Sequence, residues 1–272
     1  FNDDRIVYKN NIKNLGLIET LNLGIQLSNC EYIARMDADD VSHKTRLEKQ
    51  INFLESKSEF SAVGSFFRCI DAKGRLREDI RWPTDLKKIL YSGVTGFCPI
   101  GHPGTMYKKK AIVDVGCYDK NYFASEDYEL WLKLLANGYK LINLPEYLLD
   151  YRKHKSQVTN THREIQLRNH AKAFQSFYQK LTNKQLKLDC AISYINLFNF
   201  NYQIKNNHLS LILEIYNDLI TKILEIHILK DQRSHFDSLV INFVGKNLTN
   251  LGLYNILKSI LKSNIPLYNI LR

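Results

Sequence analysis

The chain has 272 residues, of which 44% are hydrophobic and 24% are charged. This composition is typical of a globular protein and excludes the class of disordered chains, which combine low hydrophobicity with high charge. The net charge of +10 and the pI near 9.2 admit an anionic partner, whether nucleic acid, a membrane surface or a phosphorylated substrate.

Turn-forming residues divide the chain into two parts. Ten of the 12 glycines and four of the 5 prolines lie before residue 146. Residues 1–155 carry a net charge of only +3, whereas residues 156–272 carry +7. The pattern predicts a turn-rich α/β region over 1–160 and a basic, all-helical region over 161–272.

The cysteines and the apolar runs indicate the compartment. The five cysteines contain no CxxC pair, which argues against a zinc ribbon or a disulfide scaffold and favours a reducing environment. No apolar run approaches the roughly 18 residues that a membrane span needs. We therefore expect a cytoplasmic protein without a signal peptide.

Strands and helices are predicted to alternate in the α/β region. Apolar runs between turn-forming residues predict strands at 30–36, 60–70 and 139–144 and an extended segment at 147–151. Residues 75–82 are expected to return as a hairpin arm after the turn at 71–74. Apolar spacing predicts helices at 44–56, 109–115 and 126–137, and the glycines and prolines of 95–105 predict a loop.

Beyond Thr161 the apolar residues recur at helical spacing throughout. Helices are predicted at 163–181, 184–204, 208–229, 234–247 and 251–262. Apolar residues lie around several of these helices, so we expect the helices to pack on one another and on the α/β region.

An acidic run, Asp37-Ala38-Asp39-Asp40, follows the first predicted strand directly. Ligands of open α/β sheets bind at the carboxyl ends of strands, and crowded carboxylates there favour a hard cation such as Mg²⁺ or Mn²⁺. The alternative is a solvated turn in which Asp40 or Ser42 caps the next helix. The acidic run alone does not decide between them.

A second acidic run, Ser125-Glu126-Asp127-Tyr128, begins the predicted helix at 126–137. The helix dipole stabilises carboxylates in the first turn by roughly 0.3–1 kcal/mol, so the run needs no function. A functional alternative is that one carboxylate points into a cleft and acts as a general base.

Two further clusters carry weaker signals. The basic run at 151–155 includes His154, which would serve a metal–phosphate site as a metal ligand or a phosphate partner; the alternative is an exposed linker. The glycines and proline around His102 predict a loop first, in which the histidine has a structural role.

In this order and spacing the motifs resemble the inverting family 2 glycosyltransferases of the GT-A fold. The resemblance covers about residues 3–160. It is carried by 14–16 (NLG), 21–24 (LNLG), 31–40 (EYIARMDADD), 46–50 (RLEKQ), 53–55 (FLE), 64–65 (GS), 101–103 (GHP), 106–109 (MYKK), 115–119 (VGCYD), 126–132 (EDYELWL) and 151–154 (YRKH). The implied fold is a GT-A-like, Rossmann-like mixed sheet flanked by helices and followed by a helical region.

The resemblance also implies roles for individual residues. Asp37 and Asp39 match the DxD motif, with Asp39 as the direct ligand of Mn²⁺ or Mg²⁺ and Asp37 nearer the ribose of the sugar nucleotide. Asp127 matches the catalytic base, with Glu126 beside it. The other expected contacts are with the metal and diphosphate for His154, with the diphosphate for Arg152 and Arg35, and with the acceptor for His102 and Trp131.

The implied reaction moves a sugar from a nucleoside-diphosphate sugar, with UDP as the expected nucleotide, to a hydroxyl of a glycan or a lipid-linked acceptor. We expect a role in a bacterial surface glycan such as lipooligosaccharide or capsule. The basic helices would then contact anionic lipid at the inner face of the membrane. Nucleic acid is not expected, because no basic stripe is interleaved with aromatic residues.

The likeness departs from the family at the front of the chain. Members of the family open with an apolar strand and a segment that hold the nucleotide base, whereas this sequence resembles the loop that comes after them. We therefore expect a GT-A sheet without its first strands, whose raw edge a homodimer would cover. The alternative function is a catalytically impaired glycosyltransferase that acts as a binding or scaffolding partner.

Overall fold

The computed structural model describes residues 3–154, 162–200, 206–227, 229, 233 and 236–238. Within these residues a mixed sheet of six strands has the order β1-β5-β3-β6-β2, with β4 paired to the far end of β3. The strands are β1 (Tyr32–Ala34), β2 (Val41–Ser42), β3 (Phe60–Ile70), β4 (Leu76–Ile80), β5 (Met106–Lys108) and β6 (Lys140–Arg152).

Helices flank this sheet and then continue beyond it. They are α1 (Gly16–Leu27), α2 (Arg46–Ser56), α3 (Leu86–Thr95), α4 (Lys109–Asp114), α5 (Glu126–Ala136), α6 (Arg163–Thr182), α7 (Leu188–Phe200) and α8 (Asn206–Ile226). This arrangement confirms the predicted class, an α/β sheet flanked by helices and followed by a helical region. In the part of the chain that is described, no helix is long and apolar enough to cross a membrane.

Strand β3 is the centre of the sheet. It runs parallel to β6 and antiparallel to β4 and β5. Most of its 11 residues are buried, because helices cover the sheet. A strand that is covered on both faces has a continuous apolar sequence. Strand β1 is antiparallel to β5 and therefore points the same way as β3 and β6. The carboxyl ends of β1 and β6 thus lie at the same edge.

The helical region shares one apolar core with the sheet region. A single cluster of buried side chains joins Trp131 of α5, Phe174 of α6, Tyr194 of α7 and Tyr216 of α8. Helix α8 buries residues at helical spacing, from Ile212 to Leu224, as the apolar pattern predicts. This packing fixes α6 against α5, the helix that begins with the second acidic run.

Several elements differ from the predictions. Helices α1 and α3 have no predicted counterpart, and α3 occupies the sequence up to Thr95, where the 95–105 loop was expected to begin. The segments 139–144 and 147–151 form one strand, whose register shifts at Pro145, a residue without an N–H for the ladder. The predicted helices at 234–247 and 251–262 lie almost entirely outside the described residues.

Candidate active site

A cavity of about 350 Å³ lies at the carboxyl ends of β1 and β6. The start of α1, the loop before α5 and helix α6 complete its walls. It is lined by Leu17, Arg35, Asp37, Asp39, His102, Pro103, Phe123, Ala124, Glu126, Asp127, Tyr151, His154 and Gln166. The fold thus brings both acidic runs to one cavity, although Asp40 at the end of the first lies 86 positions before Glu126 of the second.

Arg35 organises the first acidic run. Its guanidinium is buried, with 7% of the side chain exposed, and donates to both carboxylate oxygens of Asp37 at 2.8 and 2.5 Å. Such a two-bond pair fixes direction as well as charge. Arg46 donates in turn to the carbonyl of Arg35 at 3.0 Å. The carboxylate of Asp37 is therefore held in one orientation at the cavity wall.

Asp39 and His154 form the pair that best suits a cation. Nε2 of His154 lies 3.0 Å from Oδ2 of Asp39, and about 40% of each side chain is exposed. Carboxylate oxygen and imidazole nitrogen are ligands of Mn²⁺, and Mg²⁺ takes one or two carboxylates with phosphate oxygens completing its shell. Among the described residues no group of three or more His, Cys, Asp or Glu lies close enough to hold a metal. The donor set fits a cation that a diphosphate helps to hold.

Asp40 does not cap the next helix. Its Oδ1 accepts from the backbone N–H of Arg152 at 2.8 Å, and its Oδ2 is buried without a hydrogen-bond partner. Burial is the main cause that raises the pKa of Asp40 to about 6, opposed by the Arg152 hydrogen bond. The residue before α2 is Thr45, and no side chain caps that helix. The expected Asp40 or Ser42 cap is therefore wrong, although the carboxylate of Asp39 in this turn is exposed to solvent.

Arg152 supports the acidic run from outside the cavity lining. Its Nε donates to the carbonyl of Asp39 at 2.8 Å, and its NH1 donates to the carbonyl of Asp71 at 3.0 Å. These bonds tie the end of β6 to the turn that carries Asp39 and to the β3–β4 hairpin. The expected contact between Arg152 and a diphosphate stays a prediction.

The second acidic run enters the cavity from the first turn of α5. Burial raises the pKa of both Glu126 and Asp127, and the positive charge of Arg35 opposes the rise in each case. Oδ1 of Asp127 accepts from the N–H of Tyr128 at 2.7 Å. A carboxylate with a raised pKa binds a proton more strongly, which is what a general base requires.

The backbone before α5 is strained. Ala124 has φ of +64°, in the left-handed region that costs a residue with a Cβ roughly 1–2 kcal/mol. Helix α6 borders this loop: the Ser125 hydroxyl donates to the Gln166 carbonyl, and Nδ2 of Asn169 donates to the Phe123 carbonyl, both at 3.0 Å. Gln166 and Asn169 were missed by the sequence reasoning, because helical spacing shows only that α6 is a helix.

His102 and Trp131 differ in access to the cavity. His102 lines it, and its Nε2 lies 2.8 Å from the Tyr118 hydroxyl. Burial lowers the pKa of His102 well below its ordinary value, so the ring is neutral. The side chain of Trp131 is fully buried, with its ring edge-on to His102 at 6.0 Å between centroids. The expected acceptor contact of Trp131 is therefore corrected: it supports His102 from within the core.

Glycines explain the path of the loop that carries His102. A Cβ added at Gly101 would lie 2.5 Å from the ring of Phe67, and one at Gly104 would lie 2.6 Å from it. Only glycine permits so close an approach between this loop and β3. The Gly-His-Pro-Gly run thus seats His102 between the sheet and the cavity.

Comparison with known proteins identifies related sequences. Residues 1–116 match the family model described as Glycosyl transferase family 2. An uncharacterized glycosyltransferase of Haemophilus influenzae is 30% identical over 237 residues, which cover 82% of this chain and 67% of that protein.

Two relatives from Escherichia coli have more specific names. The O-antigen biosynthesis glycosyltransferase WbnJ is 35% identical, over 50% of this chain and 54% of its own length. The UDP-Gal:alpha-D-GlcNAc-diphosphoundecaprenol beta-1,3-galactosyltransferase is 32% identical, over 52% of this chain and 50% of its own. In the matches that rank first, the aligned part likewise spans about half the length of the relative.

Proposed function

The chain belongs to the family 2 glycosyltransferases, and we propose that it transfers a sugar from a UDP-sugar to a hydroxyl group of a glycan or lipid-linked acceptor. One observation carries the proposal. A single cavity is lined by an ordered acidic turn, by the Asp39–His154 pair and by the carboxylates of Glu126 and Asp127 at the start of α5.

The donor half of the cavity would be the wall made by the acidic turn. Asp39 and His154 would hold a divalent cation, which neutralises the charge that grows on the departing diphosphate. Arg35 fixes Asp37 in place for a contact with the sugar nucleotide and offsets the negative charge of the turn. Arg152 and Asp40 hold the turn against the end of β6.

Asp127 is the proposed base. Its raised pKa suits it to take the proton of the acceptor hydroxyl as that oxygen bonds to the anomeric carbon. The bond from the anomeric carbon to the diphosphate oxygen breaks in the same displacement, and the nucleoside diphosphate leaves with the electron pair. One displacement inverts the anomeric configuration and needs one carboxylate, unlike the pair used in retaining glycoside hydrolysis.

Two relatives support the choice of substrates. One is named for O-antigen biosynthesis, and the other for transfer of galactose from UDP to a diphosphoundecaprenol-linked acceptor. By analogy we propose that this protein acts in the synthesis of a bacterial surface polysaccharide on a lipid-linked acceptor. The net charge of +7 over residues 156–272 would favour approach to an anionic membrane surface.

The test is UDP release from UDP-glucose, UDP-galactose and UDP-N-acetylglucosamine, each with a diphosphoundecaprenol-linked sugar as acceptor. We expect release that requires Mn²⁺ or Mg²⁺ and stops with EDTA, and a product of inverted anomeric configuration by NMR. Calorimetry with UDP runs in parallel. Binding of UDP without any turnover would favour the alternative of a catalytically impaired binding partner, and absence of both would rule out the donor proposal.

A further inference from the structure

The loop from Phe123 to Ser125 leads directly into the proposed base. Phe123 and Ala124 line the cavity, and the two carboxylates follow at the next positions after Ser125. Ala124 is in the left-handed region with φ of +64°, a conformation that an alanine adopts only when its surroundings hold it. Something outside this short loop must therefore impose its shape.

Helix α6 supplies contacts on both sides of Ala124. Nδ2 of Asn169 donates to the carbonyl of Phe123, the residue before it, and the hydroxyl of Ser125, the residue after it, donates to the carbonyl of Gln166. Asn169 and Ser125 are buried, with 8% and 1% exposed. Two hydrogen bonds from these buried side chains to or from one helix thus hold the residues that flank the left-handed residue.

Asn169 is set apart from the cavity itself. It is absent from the lining, whereas Gln166, one turn earlier on the same helix, is part of it. Asn169 therefore has no direct contact with a substrate in the cavity. Its influence would pass through the Phe123 carbonyl to the loop, and from the loop to the first turn of α5.

We propose that Asn169 is a positioning residue for the base: its hydrogen bond to Phe123 holds Ala124 in the left-handed conformation and thereby aims the Asp127 carboxylate at the acceptor. The inference rests on the proposed function of Asp127. It also assigns a role in the reaction to the helical region, which lies beyond the residues matched by the family model.

The kinetic test compares Asn169→Ala with the double variant Asn169→Ala/Ala124→Gly. We expect the single variant to lower kcat about tenfold with the donor KM unchanged within twofold, because the donor wall is untouched. Glycine adopts positive φ without steric cost, so the double variant should recover much of the lost kcat. Rates are compared at a temperature where melting curves show each variant folded.

Two further variants keep the test sharp if Asn169→Ala folds poorly. Ser125→Ala removes the other loop bond with a small change in volume and should lower kcat about threefold, again without a change in donor KM. Ser176→Ala is the matched control, because its hydroxyl joins the same helix to Tyr122 at 2.9 Å but makes no bond to residues 123–125. The control should keep kcat within twofold.

Hydrogen exchange of the peptide over 120–128 gives a readout that needs no turnover. Faster exchange in Asn169→Ala, with kcat lowered and then restored by Ala124→Gly, supports the proposal. Unchanged exchange, unchanged kcat, or a fall in kcat that glycine does not relieve would overturn it. If the wild-type enzyme turns over no UDP-sugar, the proposed function fails, and exchange alone still shows whether Asn169 holds the loop.

Discussion

The two regions of this molecule bury polar groups in different ways. Of the side chains that the structure describes, the region up to residue 154 buries fourteen that are polar or charged, among them two arginines and three carboxylates. The region from residue 162 buries two, Asn169 and His227, and both are uncharged groups. Charge is thus buried where the proposed chemistry takes place and is avoided where helices pack.

Side chains of the helical region donate to backbone carbonyls of the first region. Asn169 donates to Phe123, and Nε2 of His227 donates to the carbonyl of Leu135 at 3.0 Å. The hydroxyl of Tyr194 and Nε2 of His170 do the same for carbonyls at the end of α3, at 2.8 and 2.7 Å. The last carbonyls of a helix have no partner within it, so the Tyr194 bond satisfies the carbonyl of Val94 near the end of α3. The comparison teaches that the second region supports the first by neutral hydrogen bonds.

The largest expected effect comes from Asp127→Asn. The amide keeps the shape of the side chain but cannot take a proton, so we expect kcat to fall about 1000-fold while UDP affinity measured by calorimetry stays within threefold. Asp189→Asn, an exposed carboxylate in the first turn of α7, is the control and should retain full activity. Transfer that survives Asp127→Asn would mean that another group is the base. Buried charge in the first region would then not coincide with the chemistry.

Asp39→Ala should act on the donor. Removing one of the two side chains proposed to hold the cation should weaken metal-dependent UDP binding on the order of 100-fold, whereas binding measured in EDTA should change little. Isothermal titration with and without Mn²⁺ makes the measurement. Equal UDP affinity in the variant and the wild type, with Mn²⁺ present, would exclude Asp39 as a ligand.

Glu129 makes the folded state less stable at high pH. Burial is the main cause that raises its pKa to about 7, against an ordinary value of 4.5, and Lys133 opposes the rise at 3.1 Å. The folded state therefore binds more protons than the unfolded state between these values, and stability falls as pH rises through this window. Glu129→Gln does not titrate, so its free energy of unfolding relative to wild type should increase by about 2 kcal/mol from pH 5 to pH 8.

Urea denaturation at the two pH values measures this difference. Glu225→Gln, an exposed carboxylate on α8, is the matched control, and its difference from wild type should be the same at both. A Glu129→Gln difference that is likewise independent of pH would mean that the carboxylate is not buried in the folded state.

His170 gives the helical region the opposite dependence. Burial lowers its pKa from 6.5 to about 4, with a smaller opposing effect of its bond to the Gly96 carbonyl, and its ring stacks on Tyr128 at 3.5 Å. Below pH 6.5 the unfolded state binds a proton at this histidine and the folded state does not. The free energy of unfolding therefore falls as pH falls toward 4.

Replacing the histidine sharpens this contrast between the regions. His170→Asn keeps a donor but does not titrate, so from pH 7 to pH 5 the wild type should lose up to about 2 kcal/mol more of its free energy of unfolding than the variant does. Denaturation curves at both pH values test it. Parallel losses in the two proteins would show that the ring is solvated and that the two regions do not differ in this way.

Much of the frame follows from local patterns. The continuous apolar run of β3 matches its predicted bounds, and helical spacing predicts α2, α5 and α6 to within two residues. Helix α3 was not predicted, because Gly93 interrupts the apolar spacing of its sequence. Its start depends on Asp85, whose side chain accepts from the N–H of Lys88, and its end depends on Gly96 at φ of +81°.

The candidate site likewise has features that local sequence patterns predict and features that only the tertiary structure shows. The sequence by itself determined the two acidic runs and their places after a strand and at the start of a helix, because these depend on neighbours a few positions away. It also placed His102 in a loop. Only the tertiary structure decided that Asp37 pairs with Arg35, that Asp40 is buried under Arg152, and that Trp131 stays in the core.

The physical reason is the distance along the chain over which each interaction is made. Helix and strand patterns repeat every two to four residues and can be read in one segment. The bond from Asp40 to the N–H of Arg152 spans 112 positions, and the bond from Asn169 to Phe123 spans 46. A side chain's partner at such separation is set by how elements pack. The end of β6 holds the first acidic run, and the packing of α6 on α5 holds the loop before the second.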